Sequence, residues 1–429
     1  MLYKLYNKKI QLTTSVISYI IILNKCCLEV IKIKTVLKAL AVVSGLFAIL
    51  FAIHITGVYQ IFRTENMTDT DIKQSSYMQY TVTQDKVKIL GRSEYIDSVR
   101  YFSMSGSGVE FICKGQYAEI TVVGDNAQST HSNHLSRIGI YLNGELIFDE
   151  LVDYQEKTYK VEINDYVDGG VIRVIKLSEP MFSSFGISKI TSFSKKEIKP
   201  TKPSELKIEF IGDSITCGYG LDEENPYGSF STTTENFSKT YAYLTAKSFN
   251  ADYSTVSFSG YGVYTGFSRS YRNSEYTIEK EYNKSVLLSD RVERLWDFNS
   301  FIPNLVVINL GTNDAAYCSR SYQRCEEFQQ AYVELLRNIR GNYPDAYILC
   351  VLGDMNDSMF SEIEDAVAQF KTETVDNRVS ARQIGFRMDE YPAVIDGHPN
   401  DMSNISASSD LYMIIQELIN YGELPSAKG

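Results

Sequence analysis

The chain has 429 residues, 44% of them hydrophobic, and a formal net charge of −11 at neutral pH. This length predicts two or three domains, and the apolar fraction is ordinary for a globular protein. The negative charge argues against binding nucleic acid or anionic lipid through a bulk electrostatic field, and suits a neutral partner molecule. The seven cysteines are too few for a disulfide scaffold in a chain this long.

An apolar segment without Lys, Arg, Asp or Glu lies near the N-terminus, at residues 39–62. It is long enough to cross a bilayer core, which takes about 20 residues. Residues 1–38 carry seven lysines and one acid, so the positive-inside rule predicts that they are cytoplasmic. We find no small-x-small cleavage site after the segment, which favours an uncleaved anchor over a removed signal peptide. The sequence thus predicts a single-pass transmembrane helix with the remainder of the chain extracellular. A buried helix of another domain is the alternative.

The next part of the chain has the pattern of an all-β domain. Residues 63–79 are polar and predict a stalk. Residues 80–194 contain short alternating runs between turn signals, and no amphipathic helix of useful length. Residues 138–142 and 145–148 flank the dipeptide Asn143-Gly144, which predicts a hairpin with a type I′ turn. This part is therefore predicted to be a β-sandwich of the jelly-roll kind.

A charged, Pro-containing linker at residues 195–205 precedes a change of pattern. From 206 to 425 the sequence alternates between strands and helices, which predicts an α/β domain with a parallel sheet covered by helices on both faces. We predict strands at 206–211, 251–258, 304–310 and 346–352, and helices at 239–249, 324–340, 361–373 and 404–420.

A serine follows the first of these strands on a glycine turn, in the sequence Gly212-Asp213-Ser214. A serine hydroxyl is a weak nucleophile unless a base takes its proton. Of the four histidines only His398 follows Ser214, so a catalytic pair within this domain would have to be Ser214 and His398. His398 lies in a Gly/Pro loop, and Asp396 stands two residues before it.

Two further strands end in residues that could donate hydrogen bonds to the negative charge that develops on an attacked carbonyl oxygen. Gly260 follows the second strand, and Asn313 follows the third. The carboxyl ends of parallel strands meet at one edge of a sheet, so we expect these residues near Ser214. The backbone N–H groups of Ser214 and Gly260 and the side-chain amide of Asn313 are the predicted oxyanion hole.

The order Ser214, Gly260, Asn313, His398 resembles that of the SGNH (GDSL-type) hydrolases. Three longer stretches are more specific: GDSITCGYG at 212–220, SFSGYG at 257–262 and DGHPN at 396–400. They resemble carbohydrate esterase family two, the two-domain acetyl esterases of plant polysaccharides. The similarity extends upstream to the N-terminal jelly-roll of that family, through residues 90–92, 106–111 and 172–179, and covers about residues 80 to 425.

The resemblance implies an SGNH-type three-layer hydrolase domain preceded by a jelly-roll. It implies Ser214 as nucleophile, His398 as base, and Gly260 and Asn313 as oxyanion donors. The implied reaction is hydrolysis of acetyl esters on polysaccharides or oligosaccharides such as xylan and glucomannan, through an acetyl-enzyme. That reaction requires neither a cofactor nor a metal ion, and the sequence leaves the oligomeric state open.

The third catalytic residue departs from the family's pattern. Many SGNH enzymes place an aspartate three residues before the histidine, whereas this chain has Ile395 there. Asp396 is the nearest acid, and we predict that it orients His398. A main-chain carbonyl group is the alternative.

Other functions and pairings also remain open from the sequence. The same chemistry could act on a lipid ester, a thioester or a cell-surface glycan, and the chain could instead be a carbohydrate-binding protein with a vestigial site. Cys318 and Cys325 could form a local disulfide if the domain is extracellular. His131 and His134 lie in a short polar stretch, where solvated side chains are a better interpretation than a metal pair.

Overall fold

A computed structural model describes residues 77–130, 134–163, 169–223, 225–319 and 321–426. The predicted cytoplasmic segment 1–38, the predicted anchor 39–62 and most of the predicted stalk lie outside these ranges. No helix within the described ranges is long and apolar enough to cross a membrane. The described residues, from 77 to 426, belong to one compact unit. The last residues of the predicted stalk belong to the first strand of this compact unit, because Met78–Tyr80 pairs with a strand of the β-rich part.

The first part of this unit is built from two antiparallel sheets of six strands each. One sheet has the order β3-β4-β11-β6-β9 with β1 beside β11, and the other has the order β12-β5-β10-β7-β8 with β2 beside β5. Valine, isoleucine and phenylalanine side chains from both sheets form a shared buried core. The strands are β1 Met78–Tyr80, β2 Lys88–Leu90, β3 Glu94–Ile96, β4 Val99–Phe102, β5 Gly108–Cys113, β6 Tyr117–Gly124, β7 Arg137–Leu142, β8 Glu145–Leu151, β9 Glu156–Glu162, β10 Gly170–Lys176, β11 Phe185–Ser192 and β12 Lys199–Pro200.

The predicted hairpin is confirmed, since β7 and β8 pair antiparallel across Asn143 and Gly144. Both turn residues have positive φ, 52° for Asn143 and 87° for Gly144, as a type I′ turn requires. The predicted linker is partly built into this region, because β12 within it pairs with β5.

The second part is a five-stranded sheet with the order β14-β13-β15-β16-β17, and every pair in it is parallel. All residues of β15 and β16 are buried, as expected for central strands covered on both faces. The strands are β13 Lys207–Gly212, β14 Asp252–Ser257, β15 Leu305–Asn309, β16 Tyr347–Gly353 and β17 Val379–Ile384.

Helices cover both faces of this sheet, which confirms the predicted layering. One face packs against α2 and α7, through residues such as Tyr241 and Leu411. The other packs against α5 and α6, through residues such as Phe328 and Ile363. The α-helices are α1 Ser214–Cys217, α2 Tyr241–Ser248, α3 Glu279–Tyr282, α4 Thr312–Cys318, α5 Tyr322–Asn342, α6 Phe360–Thr374 and α7 Asp401–Asn420, with 3₁₀ turns at Ala127–Thr130, Phe237–Lys239, Phe298–Ser300 and Ile395–Gly397.

The edge strand β17 was not expected from the sequence. Its residues include exposed Arg382 and Gln383 on an otherwise half-buried strand, so no clean apolar alternation marks it. Charged and polar residues are common on edge strands, where they discourage pairing with another chain.

The two parts of the unit contact each other through buried polar groups. Arg92, which follows β2, donates to Glu209 of β13 at 2.7 Å, and both side chains are fully buried. The hydroxyl of Tyr253 in β14 donates to the carbonyl of Gly106 at 3.0 Å. The N–H of Phe237 donates to the carbonyl of Leu177 at 2.9 Å. The β-rich part therefore packs directly on the parallel sheet.

Candidate active site

Ser214 lies at the carboxyl end of β13, an interior strand of the sheet, where the short helix α1 begins. Asp213 caps this helix, because its side chain accepts from the N–H of Ile215 at 3.0 Å. Gly212 is required for close packing, since a Cβ there would lie 2.1 Å from Oγ1 of Thr216. The tight turn therefore fixes the position of the serine hydroxyl at the edge of the sheet.

Ser214 and His398 are brought together as predicted. Nε2 of His398 lies 2.7 Å from Oγ of Ser214, and Nδ1 lies 3.1 Å from the carbonyl oxygen of Ile395. A carbonyl oxygen can only accept, so Nδ1 carries the proton and Nε2 is free to accept one from the serine. Burial lowers the pKa of His398 to about 4, although the Ile395 carbonyl and the charge of Asp396 act in the opposite direction. The imidazole is therefore neutral at neutral pH, which is the state of a general base.

The prediction that Asp396 orients His398 is not matched by the structure. Asp396 has a left-handed backbone with φ of 52°, and its side chain is exposed. Its carboxylate accepts from the hydroxyl of Tyr219 at 2.8 Å. Because of that backbone turn, the carboxylate leaves the loop away from Nδ1, and the main-chain carbonyl of Ile395 takes the position expected for an acid.

The predicted oxyanion donors Gly260 and Asn313 line the same cleft as Ser214 and His398. Gly260 has φ of 78° and faces open space, so the glycine is needed for its backbone conformation and not for lack of room. Nδ2 of Asn313 donates to the carbonyl of Tyr261 at 2.8 Å and to Oδ2 of Asp213 at 3.1 Å. These contacts fix the direction of the amide. A substrate oxyanion would share or replace the longer one.

Asp213 was not singled out from the sequence as a functional residue, yet it contacts both the serine helix and Asn313. Burial raises its pKa to about 7, although the N–H of Ile215 favours the ionised form. The signal was present in the sequence, since an aspartate directly before a short helix is a typical N-cap. Its second contact depends on how β13 and β15 lie side by side, which the sequence does not show.

The cleft has a volume of about 990 Å³, and stacked rings form one of its walls. Tyr219 stacks on His398 with ring centres 4.3 Å apart, and Phe230 stacks on Tyr219 at 4.2 Å. Phe182 lies 5.9 Å from Phe230, and His134 stacks on Phe182 at 4.6 Å. The stack starts at His398, and its members Tyr219, Phe230 and Phe182 line the cleft, which gives the cleft an apolar wall close to Ser214.

His134 thus packs against rings, which corrects its interpretation as a solvated loop residue, while His131 lies outside the described residues. Cys318 and Cys325 are free thiols, so the possible disulfide is not formed. The Cys325 thiol instead faces the carbonyl of Cys318 at 3.5 Å.

A group of buried acids beside the cleft was also missed from the sequence. Oxygen atoms of Glu179 and Glu235 and the sulfur of Cys217 all lie within 4.8 Å of one another. Glu179 comes from the loop after β10, whereas Cys217 belongs to the serine helix. Only the packing of the two parts brings these residues together. Two carboxylates and a thiol at these distances could bind a metal ion.

The chain is similar to known proteins in both sequence and structure. Residues 210–387 match the GDSL-like Lipase/Acylhydrolase family. Cellulase/esterase CelE of Acetivibrio thermocellus is 35% identical over 199 residues, which cover 46% of this chain and 23% of that protein. An acetylxylan esterase / glucomannan deacetylase of Cellvibrio japonicus is 23% identical over 346 residues, covering 79% and 91% of the two chains. This chain therefore spans about a quarter of the length of CelE and most of the length of the second relative.

Solved structures show the same arrangement of both parts. A family two carbohydrate esterase from Clostridium thermocellum, in complex with cellohexaose, superposes with a TM-score of 0.69 at 26% identity, covering 78% of this chain and 99% of that one. An acetyl xylan esterase from Butyrivibrio proteoclasticus shares the fold, with a TM-score of 0.72 at 21% identity over 81% and 99% of the chains. Residues 210–387 thus carry a GDSL-like lipase/acylhydrolase domain of the SGNH type, and 78% of the chain is closely similar to a family two carbohydrate esterase.

Proposed function

We propose that this protein is a carbohydrate O-acetyl esterase that uses Ser214 as nucleophile. The observation that carries the proposal is the 2.7 Å contact between Oγ of Ser214 and Nε2 of His398 inside an open cleft. A hydroxyl paired with a neutral imidazole is the arrangement of nucleophilic ester hydrolysis. The naming of relatives as acetylxylan esterases or glucomannan deacetylases supports an acetyl ester on a polysaccharide as the substrate.

In the proposed mechanism, Oγ of Ser214 attacks the acetyl carbonyl carbon while its proton passes to Nε2 of His398. The carbonyl oxygen becomes an oxyanion, which receives the N–H groups of Ser214 and Gly260 and the amide of Asn313. Nε2 then returns the proton to the departing sugar oxygen, so the sugar hydroxyl leaves and the acetyl group stays on Ser214. Water attacks this acetyl-enzyme with His398 again as base, and acetate is released.

The main-chain carbonyl of Ile395 takes the place of an acid in this scheme. It accepts the Nδ1 proton of His398 and so holds the ring in the tautomer that leaves Nε2 free. A neutral carbonyl stabilises the imidazolium less than a carboxylate would, which agrees with the low pKa of His398. The proposed catalytic unit is therefore a Ser214–His398 dyad.

The ring stack supports a carbohydrate as the molecule that fills the cleft. Tyr219 is covered by His398 and Phe230, but the exposed rings of Phe182 and Phe267 also line the cleft, and the less hydrophilic faces of a sugar can pack on such rings. The structure of a similar family two carbohydrate esterase was determined with cellohexaose. We therefore propose a β-linked acetylated polysaccharide or its oligosaccharides, such as xylan or glucomannan.

The proposed location is the outer face of the cell membrane. The uncharged segment 39–62 and the seven lysines before it support an anchor with the esterase outside the cell. A polysaccharide substrate would also be met there. This part of the proposal depends on the sequence alone.

Acetate release tests the proposed function. The purified protein is incubated with acetylated xylan, acetylated glucomannan and a short aryl acetate, and in parallel with aryl esters of longer acyl chains. We expect release from a polysaccharide and a preference for acetate over longer acyl groups. Activity confined to long acyl esters would indicate a lipase instead, and polysaccharide binding without any hydrolysis would indicate a vestigial site.

A further inference from the structure

Four buried ionisable groups meet beside the cleft, which one of them, Glu179, helps to line, at the boundary between the two parts of the protein. Lys176 and Glu179 come from β10 and the loop after it, Cys217 from the last position of α1, and Glu235 from the segment before the Phe237–Lys239 turn. All four are at most 1% exposed. The proposed mechanism uses none of them.

Glu179 reaches from the β-rich part to the proposed oxyanion hole. Its Oε2 accepts from the N–H of Ser259 at 2.9 Å, and Ser259 directly precedes Gly260. On the other side, the N–H of Phe267 donates to the carbonyl of Gly260 at 2.8 Å. A Cβ at Gly260 would meet nothing within 4 Å, so hydrogen bonds rather than side-chain packing hold this residue.

Glu235 is the second carboxyl group of the cluster. Its Oε2 accepts from the N–H of Glu179 at 2.8 Å. The remaining oxygens, Oε1 of Glu179 and Oε1 of Glu235, have no hydrogen-bond partner among the residues that the structure describes. A buried oxygen of this kind is costly unless a proton or another donor reaches it.

Charge balance indicates what reaches these oxygens. Two ionised carboxylates and the ammonium of Lys176 would leave a net charge of −1 buried, whereas one proton held by the acid pair makes the group neutral. Burial is the main cause that raises the pKa of both Glu179 and Glu235, and the pKa of Lys176 falls to about 8 for the same reason. Lys176 donates to the main-chain carbonyls of Ser178 and Glu179, and its positive charge lowers the pKa of both carboxyl groups.

We propose that Glu179 is a positioning residue of the esterase: it fixes the Phe258–Ser259 peptide through the N–H of Ser259, and so directs the next peptide N–H, that of Gly260, at the oxyanion. One proton, held by either Glu179 or Glu235, keeps this pair of acids compatible with Lys176. This inference rests on the proposed esterase function. It means that the β-rich part completes the oxyanion hole and is needed for catalysis.

A bound metal ion is the competing explanation of the cluster, because Glu179, Cys217 and Glu235 offer three ligand atoms. The ammonium of Lys176 beside the acids disfavours a further cation, and it already supplies the positive charge that the acids require. The observations therefore favour a shared proton.

The test compares two Glu179 variants with a matched control in acetate-release kinetics. Glu179→Met keeps the side-chain volume but removes the acceptor for Ser259. We expect kcat to fall by roughly 10²-fold, as for loss of one oxyanion donor, with KM changed less than about threefold. Glu179→Gln keeps an acceptor and leaves Glu235 to balance Lys176, so it should restore kcat to within about tenfold of wild type.

Glu209→Gln is the control, since it alters another buried interdomain acid that contacts Arg92 and not the cleft. It should lower the melting temperature without changing kcat per folded molecule. If kcat fell as far in Glu209→Gln as in Glu179→Met, the role of Glu179 would be structural and not one of positioning. A folded Glu179→Met with kcat within threefold of wild type would overturn the inference while leaving the proposed function intact. Glu179→Ala serves the same comparison should the Met variant fail to fold.

Metal analysis of the purified wild-type protein decides between proton and ion. We expect no stoichiometric divalent metal, and full activity after dialysis against a chelator. A metal bound one to one and lost in Glu235→Gln would overturn the shared proton. Failure of the esterase function itself would show differently, as absence of acetate release from the wild type.

Discussion

Nδ1 of His398 lies 3.1 Å from the main-chain carbonyl oxygen of Ile395, and not against the carboxylate of Asp396. This relationship sets the tautomer of the imidazole through the backbone of its own loop. It follows from the left-handed conformation of Asp396, which turns the carboxylate toward Tyr219. A change to the Asp396 side chain therefore tests the arrangement without disturbing the dyad.

Asp396→Asn should retain kcat within about tenfold of wild type near neutral pH. The side chain does not contact the imidazole, and an amide oxygen can still accept from Tyr219. Where a carboxylate does orient the histidine of a triad, the same substitution costs about 10⁴ in kcat. A loss of that size, measured as acetate release from an aryl acetate, would return Asp396 to the role that the sequence predicted.

Asn313→Ala should lower kcat by roughly 10²–10³ with a modest change in KM, because the amide meets charge that exists only in the transition state. Asn313 also donates to the carbonyl of Tyr261, so the melting temperature should be measured alongside. An effect on KM alone would instead place Asn313 in substrate binding.

The acid limb of kcat/KM should lie well below pH 6.5. His398 must be neutral to accept the serine proton, and its pKa is lowered to about 4, so lowering the pH from 7 to 5.5 leaves the base almost entirely neutral. An ordinary histidine would lose half of its neutral form near pH 6.5. An acid limb of kcat/KM with its midpoint near pH 6.5, and with the same midpoint in Asp213→Asn, would contradict the lowered pKa of His398.

Asp213→Asn is the necessary companion measurement, because the pKa of Asp213 is raised to about 7. As the pH falls through 7, this carboxyl group becomes protonated and loses a lone pair that can accept the hydrogen bond from the Asn313 amide. We expect any shallow inflection near neutral pH to disappear in the variant, while the lower limb stays. An inflection that persists would have to belong to another group.

Protease treatment of intact cells checks the proposed topology. Residues from about 69 onward should be digested from outside, because lysines precede the uncharged segment 39–62. An epitope placed at the C-terminus should disappear, and a cytoplasmic marker protein should survive. Protection in intact cells with digestion only after lysis would reverse the orientation.

Much of the hydrolase part could be predicted because its signals are local. Apolar runs that end in Gly212, Gly260 or Gly311 mark strands leading into turns, and parallel order places those turns at one edge. The strand β17 escaped prediction because exposed residues such as Arg382 interrupt its pattern. Strand pairing, by contrast, is a long-range property, and it decided where the edge strand lies.

The site residues that could be predicted were identified from their order along the chain. The residues that were missed reach the site only through the packing of distant segments. Ser214 and His398 could be paired because only one histidine follows the serine. The contact of Glu179 with Ser259 joins two parts of the protein across 80 positions, and no local pattern reports it. The orientation of Asp396 depends on a single backbone angle, which its residue type allows but does not dictate.

Acetate release by Ser214→Ala, compared with wild type on the same acetylated polysaccharide, tests the central claim most directly. The serine hydroxyl lines the cleft and its hydrogen bond is to His398, so we expect the variant to keep the wild-type circular dichroism spectrum and to change its melting temperature little. The dyad predicts a fall of kcat by at least roughly 10³-fold, since no other group would attack the acetyl carbonyl. Acetate release by the folded variant at the wild-type rate would show that Ser214 is not the nucleophile.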